Sequence, residues 1–169
     1  MGFLEEIANL QETLLKAPVS TKQAIDSSSG NAPYIVPPPG FFGFDQPGII
    51  PTPAANGVET DVINIQVPLG YDGVIKKLSN QYTGGGFVEG NGDLTWRVYR
   101  NSLAVRNYDN IQVQLGTMQN PRDIAGIRVF SGQVIRVTVT HAVGSGLAVA
   151  GTNIICFISG WFYPITPTN

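Results

Sequence analysis

The sequence predicts an all-β protein: an antiparallel two-sheet jelly-roll sandwich of about eight strands, preceded by an extended N-terminal arm and a short N-terminal amphipathic helix. Three observations predict it. Charged residues make up only 13% of the chain, well below the roughly 25% usual for soluble domains, and 20 glycines and 12 prolines supply turns. From residue 57 onward, short runs alternate apolar and polar side chains, as half-buried strands require. After residue 17 no helical periodicity recurs. With 169 residues the chain can bury one sizeable core but not two ordinary ones.

Residues 1–17 read as a docking helix. Phe3, Leu4, Ile7, Leu10, Leu14 and Leu15 recur at spacings of three and four, and Pro18 ends the pattern. The stripe Phe3, Ile7, Leu10, Leu14 has coiled-coil spacing, yet about two heptads is marginal for an isolated helix in water. Such a helix needs a partner surface, on another molecule or on its own domain. Residues 18–56 read as an extended arm, first polar and rich in small residues, then rich in proline. Its second half carries Tyr34, Ile35, Phe41, Phe42, Phe44, Ile49 and Ile50 among seven prolines between 33 and 53. Prolines lower the ordering cost of an extended segment, and the apolar side chains gain by being covered. The arm is therefore expected to dock on a neighbouring subunit; the alternative is a strap across its own sandwich.

Residues 57–169 hold the predicted sandwich, with strands at 59–67, 72–82, 93–100, 103–107, 109–115, 125–130, 133–142 and 152–163. Val134–Thr140 alternates most clearly. Turn signals separate the runs, among them Pro68–Gly73, Gly84–Gly86, Gly90–Asp93, Gln119–Arg122, Ser131–Gly132 and Gly144–Gly146. Eight strands without intervening helices suit a double Greek key; a seven-stranded immunoglobulin-like sandwich is the structural alternative.

Searching for chemistry leaves little. One histidine, His141, and one cysteine, Cys156, cannot build a zinc site, and Cys156 lies in an apolar run without cationic neighbours. No Gly-x-Ser-x-Gly elbow is present. The run Gly84–Gly92 lacks the Lys-Ser/Thr of a phosphate loop, and Glu89–Asp93 reads as a glycine turn before a calcium loop. No catalytic, metal or cofactor residue is assigned, and none is expected of a non-enzyme. A net charge of −2 and a pI near 5.2 supply no basic footprint for nucleic acid. No apolar stretch approaches the ~18 residues of a membrane span, and Glu5 and Glu6 stand where a signal peptide carries basic residues. Synthesis in a host cytoplasm is expected.

The segments Tyr71–Asn80 (YDGVIKKLSN), Gly92–Tyr99 (GDLTWRVY) and Gly126–Val139 (GIRVFSGQVIRVTV) resemble small jelly-roll proteins of tailed-phage particles. The likeness spans residues 59 to 163 and carries over no functional residues. It implies a virion protein: a head decoration, minor capsid, vertex or fibre-base subunit, fastened through its arm to other virion proteins such as capsid or connector subunits. A short coiled-coil-like stripe favours a homotrimer among homo-oligomers, although jelly rolls also form pentamers. The alternative function is a receptor- or carbohydrate-binding module. It would read a glycan receptor with the loops at 83–92 and 117–124, and with Trp96 or Tyr82 as a stacking platform.

Overall fold

The structure, a computed structural model, describes residues 37–38 and 40–165. The helix expected at 1–17, and with it Phe3, Leu4, Ile7, Leu10 and Leu14, lies outside the described residues, as do Tyr34 and Ile35. The described residues from Pro38 onward belong to one compact unit.

Among the described residues the chain forms eight strands and no helix. They are β1 (Phe42–Pro51), β2 (Glu59–Gln66), β3 (Tyr71–Tyr82), β4 (Leu94–Arg100), β5 (Leu103–Ala104), β6 (Arg122–Val129), β7 (Val134–His141) and β8 (Asn153–Pro164). Two antiparallel four-stranded sheets result, in the orders β1-β8-β3-β6 and β2-β7-β4-β5. The first strand pairs with the last, the second with the seventh, the third with the sixth and the fourth with the fifth. Only β4 and β5 are hairpin neighbours; every other connection passes from one sheet to the other.

Four sequence expectations need correction. The stretch 42–51, read as arm, is an edge strand paired with β8 from Phe42↔Phe162 to Pro51↔Asn153. Its Pro47 and Pro51 masked the pattern, yet an edge strand tolerates proline because one side of its backbone needs no partner. The expected strand at 109–115 is instead irregular, with one isolated bridge, Trp96↔Ile111. Beyond Ile111 the Asn80 side chain replaces the ladder, donating to the Val113 carbonyl (2.8 Å) and accepting from the Leu115 N–H (3.0 Å). The strand expected at 103–107 shortens to two residues, and that at 125–130 begins three residues earlier, at Arg122.

One core lies between the sheets. Ile75, Leu78, Ile154, Cys156, Ile158 and Phe162 face it from the first sheet, and Ile63, Leu94, Trp96, Val98, Ile135, Val137 and Val139 from the second. A register shift between Asp61 and Ile63 lets Val62 and Ile63 both be buried, which strict alternation forbids. Where β1 passes this bulge, Gly48 leaves no room for a side chain: a Cβ there would meet the Val62 carbonyl oxygen. Gly160 of β8 is equally confined, by the Val74 carbonyl beside the β3 irregularity at Ile75/Lys77.

The strand directions gather the short turns at one end: 67–70, 101–102 and 130–133, with the entry to β1 and the exit from β8. The long connections 52–58, 83–93, 105–121 and 142–152 gather at the other.

Candidate docking surfaces

The aromatic residues of β1, expected to seek a partner, are largely engaged within their own sandwich. Phe44 stacks on Phe162 with ring centroids 4.3 Å apart, and Phe42 meets Tyr71 edge-on at 5.2 Å. Ile50 packs against the core. Phe41, Phe42 and Ile49 nevertheless remain 49%, 42% and 57% exposed. Of the docking residues named from sequence, the structure thus brings Phe42 and Phe44 into one cluster and directs Ile49 to the opposite face of the sheet.

The outer faces of the two sheets differ in chemistry. On the β2-β7-β4-β5 sheet, alternation turns Glu59, Asp61, Arg97, Tyr99, Arg136, Thr138 and Thr140 away from the core. The Glu59 carboxylate accepts from the Thr138 hydroxyl (2.7 Å), the Tyr99 hydroxyl (3.1 Å) and the Arg97 guanidinium (3.3 Å). Arg136 donates to Asp61 through Nε (2.8 Å) and lies over the Tyr99 ring at 5.4 Å. Sequence reasoning passed over this network because its members come from three strands; the outward alternation in β2, β4 and β7 was the available signal.

Burial alone would raise the Glu59 pKa, but hydrogen bonds from Thr138, Tyr99 and Arg97 and the Arg97 charge outweigh it and hold the carboxyl below its ordinary 4.5. Burial and the Glu59 carboxylate raise the Tyr99 phenol, keeping it a proton donor. Because the folded value of Glu59 lies below the unfolded one, its contribution to stability is complete above about 4.5 and is lost as pH falls through the folded value. Glu59→Gln should therefore destabilise the protein at neutral pH, with the gap to wild type narrowing as the solution is acidified past the ordinary carboxylate value. Urea unfolding across that range checks this, and a gap independent of pH would contradict it.

The first sheet's outer face is mixed: Ser159 stands between Asp45 of β1 and Lys77 of β3, and apolar side chains lie to either side of that polar row. The β8 residues Ile154, Cys156 and Ile158 face the core, so Ile155, Phe157 and Trp161 point the other way. Opposite Ile155 and Phe157 stand Ile49 and Pro47 of β1 on one side and Gln81 and Ser79 of β3 on the other, while Val74, opposite Trp161, is fully buried.

The remaining residues singled out from sequence serve the scaffold. His141 is fully buried, donates through Nδ1 to the Pro53 carbonyl (2.8 Å) and accepts the Gly57 N–H at its own carbonyl (3.0 Å), clamping the β1–β2 connection. Its Nε2 has no partner among the described residues. Trp96 is fully buried and Tyr82 nearly so, its hydroxyl donating to the Ala148 carbonyl (2.7 Å). Neither offers a stacking platform to a glycan. Glu89 and Asp93 accept hydrogen bonds from Gln114 and Asn91. Among the described residues no three His, Cys, Asp or Glu side chains converge as a metal site, and no helix is long and apolar enough to cross a membrane. A cleft of about 360 Å³ beside β6 is lined by Tyr108, Ile111, Val113, Leu115, Arg122 and Ile124, among others.

Burial raises the Cys156 thiol far above its ordinary value of 9.0. A thiol reagent should leave the native protein unmodified and label it stoichiometrically in denaturant. Rapid labelling under native conditions would place Cys156 outside the core.

Fold and faces together define an all-β protein of two antiparallel four-stranded sheets, one outer face carrying a charged network and the other mixed. The chain matches no known family, and no curated protein matches its sequence. A crystal structure of FLHE superposes on 73% of this chain and 98% of its own length, with a TM-score of 0.44 and 15% identity.

Proposed function

We propose that this protein is a non-enzymatic structural subunit of a virus or phage particle, a jelly roll that joins neighbouring subunits through its N-terminal arm. The observation that carries the reading is the strand pairing. A long antiparallel hairpin folded at β4–β5 pairs first with last, second with seventh and third with sixth; rolling it into two sheets places β8 beside β3 and β7 beside β4. That pairing supports an eight-stranded jelly roll, a fold used by capsid domains. An immunoglobulin-like sandwich keeps more sequence neighbours side by side within each sheet, so the pairing favours the jelly roll.

The arm in this reading is the stretch before β1, with the helix-forming stripe Phe3, Ile7, Leu10, Leu14 at its far end. Its targets are other virion proteins or further copies of this chain, a trimer being the favoured homo-oligomer. Burial withdraws Trp96 and Tyr82 as stacking platforms for the alternative reading, a glycan-binding module.

Particles purified from the source encoding the chain should contain it in fixed stoichiometry by quantitative mass spectrometry, and antibodies against the sandwich should label them. Particles devoid of the chain would overturn the proposal.

A further inference from the structure

We infer that the cleft of about 360 Å³ beside β6 binds a small amphipathic carboxylate, an apolar tail ending in one anionic head. Occupancy of this cleft is independent of the assembly reading above.

The cleft exists because the sandwich does not close along this edge. β6 is the last strand of the first sheet, and β5, the last of the second, is only two residues long. The segment 109–115 could have extended the second sheet, but the Asn80 side chain takes the Val113 carbonyl and the Leu115 N–H. Asn80 is itself 1% exposed, so this wall is fixed from within. A gap is left between the stretch carrying Tyr108, Ile111, Val113 and Leu115 and the start of β6, with Arg122 and Ile124.

Preformed ligand sites are concave, mostly apolar and supplied with a few polar groups that fix orientation, and they begin at about 300 Å³. Here buried Ile111, Leu115 and Ile124 supply branched aliphatic surface, and Val113 remains 37% exposed beside them. One cation stands against this surface. Arg122 pairs across the ladder with core-facing Leu78, so alternation sets its side chain on the same side of β6 as Ile124. Asp123, opposite Lys77, is turned to the other side of the sheet.

The arginines elsewhere in the sheets are committed: Arg97 to Glu59, Arg136 to Asp61, and Arg100 to the Arg128 carbonyl. The Arg122 guanidinium has no partner among the described residues, and neither has the Tyr108 hydroxyl. Vacant donors beside aliphatic surface suit a carboxylate on an apolar tail. The tail leaves water, and the carboxylate takes charge-assisted hydrogen bonds from the guanidinium fork.

Isothermal titration calorimetry on the full-length chain, below the micellar concentration of the probes, tests this. Decanoate should bind saturably, one per chain, whereas decylamine, with the same tail and a cationic head, should not. Arg122→Ala should weaken decanoate binding roughly tenfold or more, the worth of one charge-assisted hydrogen bond. Ala125→Trp should fill the cleft and abolish binding. Both positions are exposed, so the core is left intact, and circular dichroism checks the folding of each variant. A wild type without saturable decanoate binding, equal binding of decylamine, or undiminished binding by either folded variant would each overturn the inference. None of these outcomes bears on whether particles contain the chain, so the two proposals fail separately.

Discussion

Deleting residues 1–51 is expected to abolish cooperative folding, whereas deleting residues 1–37 should preserve it. β1 contributes Phe44 and Ile50 to the core region and stacks Phe42 and Phe44 about Phe162. Each buried side chain of this size stabilises by about 1.5–3 kcal/mol, and the ten-residue ladder with β8 goes with them. Against a total stability of about 5–15 kcal/mol the loss is decisive. Removing β1 also turns β8 into a long apolar edge, open to pairing between molecules. Thermal unfolding followed by circular dichroism distinguishes the outcomes: a sharp transition for the shorter deletion, and none, with aggregation, for the longer. A 52–169 fragment melting like the full chain would show that β1 is an appendage after all.

Trp96→Ala should lower stability by about 3–5 kcal/mol, the usual cost of deleting a large aromatic side chain from a core. Trp96 sits in the middle of β4, fully buried, with Phe87 edge-on at 5.7 Å. Its backbone pairs with Val139 on one side and Ile111 on the other, so the vacated space is walled by three segments that cannot easily collapse. Trp96→Phe should cost much less. The indole Nε1 finds no acceptor among the described residues, so the smaller ring loses volume but no hydrogen bond. Chemical denaturation of both variants tests the pair of expectations. Equal losses would mean that the indole nitrogen, rather than packing, is what the site requires.

The strands that alternate cleanly were legible in the sequence: β2, β3, β4, β7 and β8 lie within one residue of their predicted bounds at each end. The others failed for identifiable reasons. In β1 the prolines outweighed the apolar residues, because the tolerance of an edge position depends on strand order, which no local pattern encodes. Near β6, Gly126 at φ +92° and a break in pairing between Ile127 and Asp123 interrupt the alternation. At 109–115, Ile111, Val113 and Leu115 alternate as a strand would, but the Asn80 side chain, some thirty residues away, claims the backbone groups.

The surfaces were legible in a different measure. The apolar run Ile154–Tyr163 was plain, but only the pairing of β8 between β1 and β3 divides it into a core row and an outward row. Phe42 and Phe44, read from sequence as partner contacts, meet Tyr71 and Phe162 of the same sandwich, and Phe42 keeps 42% of its surface exposed.

The union of the first strand with the last bears on how the chain reaches its native state. β1 cannot find its partner until Asn153–Pro164 has been synthesised, so during translation its phenylalanines wait while more than a hundred residues emerge. Pairings this distant pay their loop-closure entropy before any contact repays it, which places refolding in the slow, millisecond-to-second class. The nascent protein is thus most vulnerable just before its final strand arrives, when a ribosome-bound neighbour's β8 would serve β1 as well as its own.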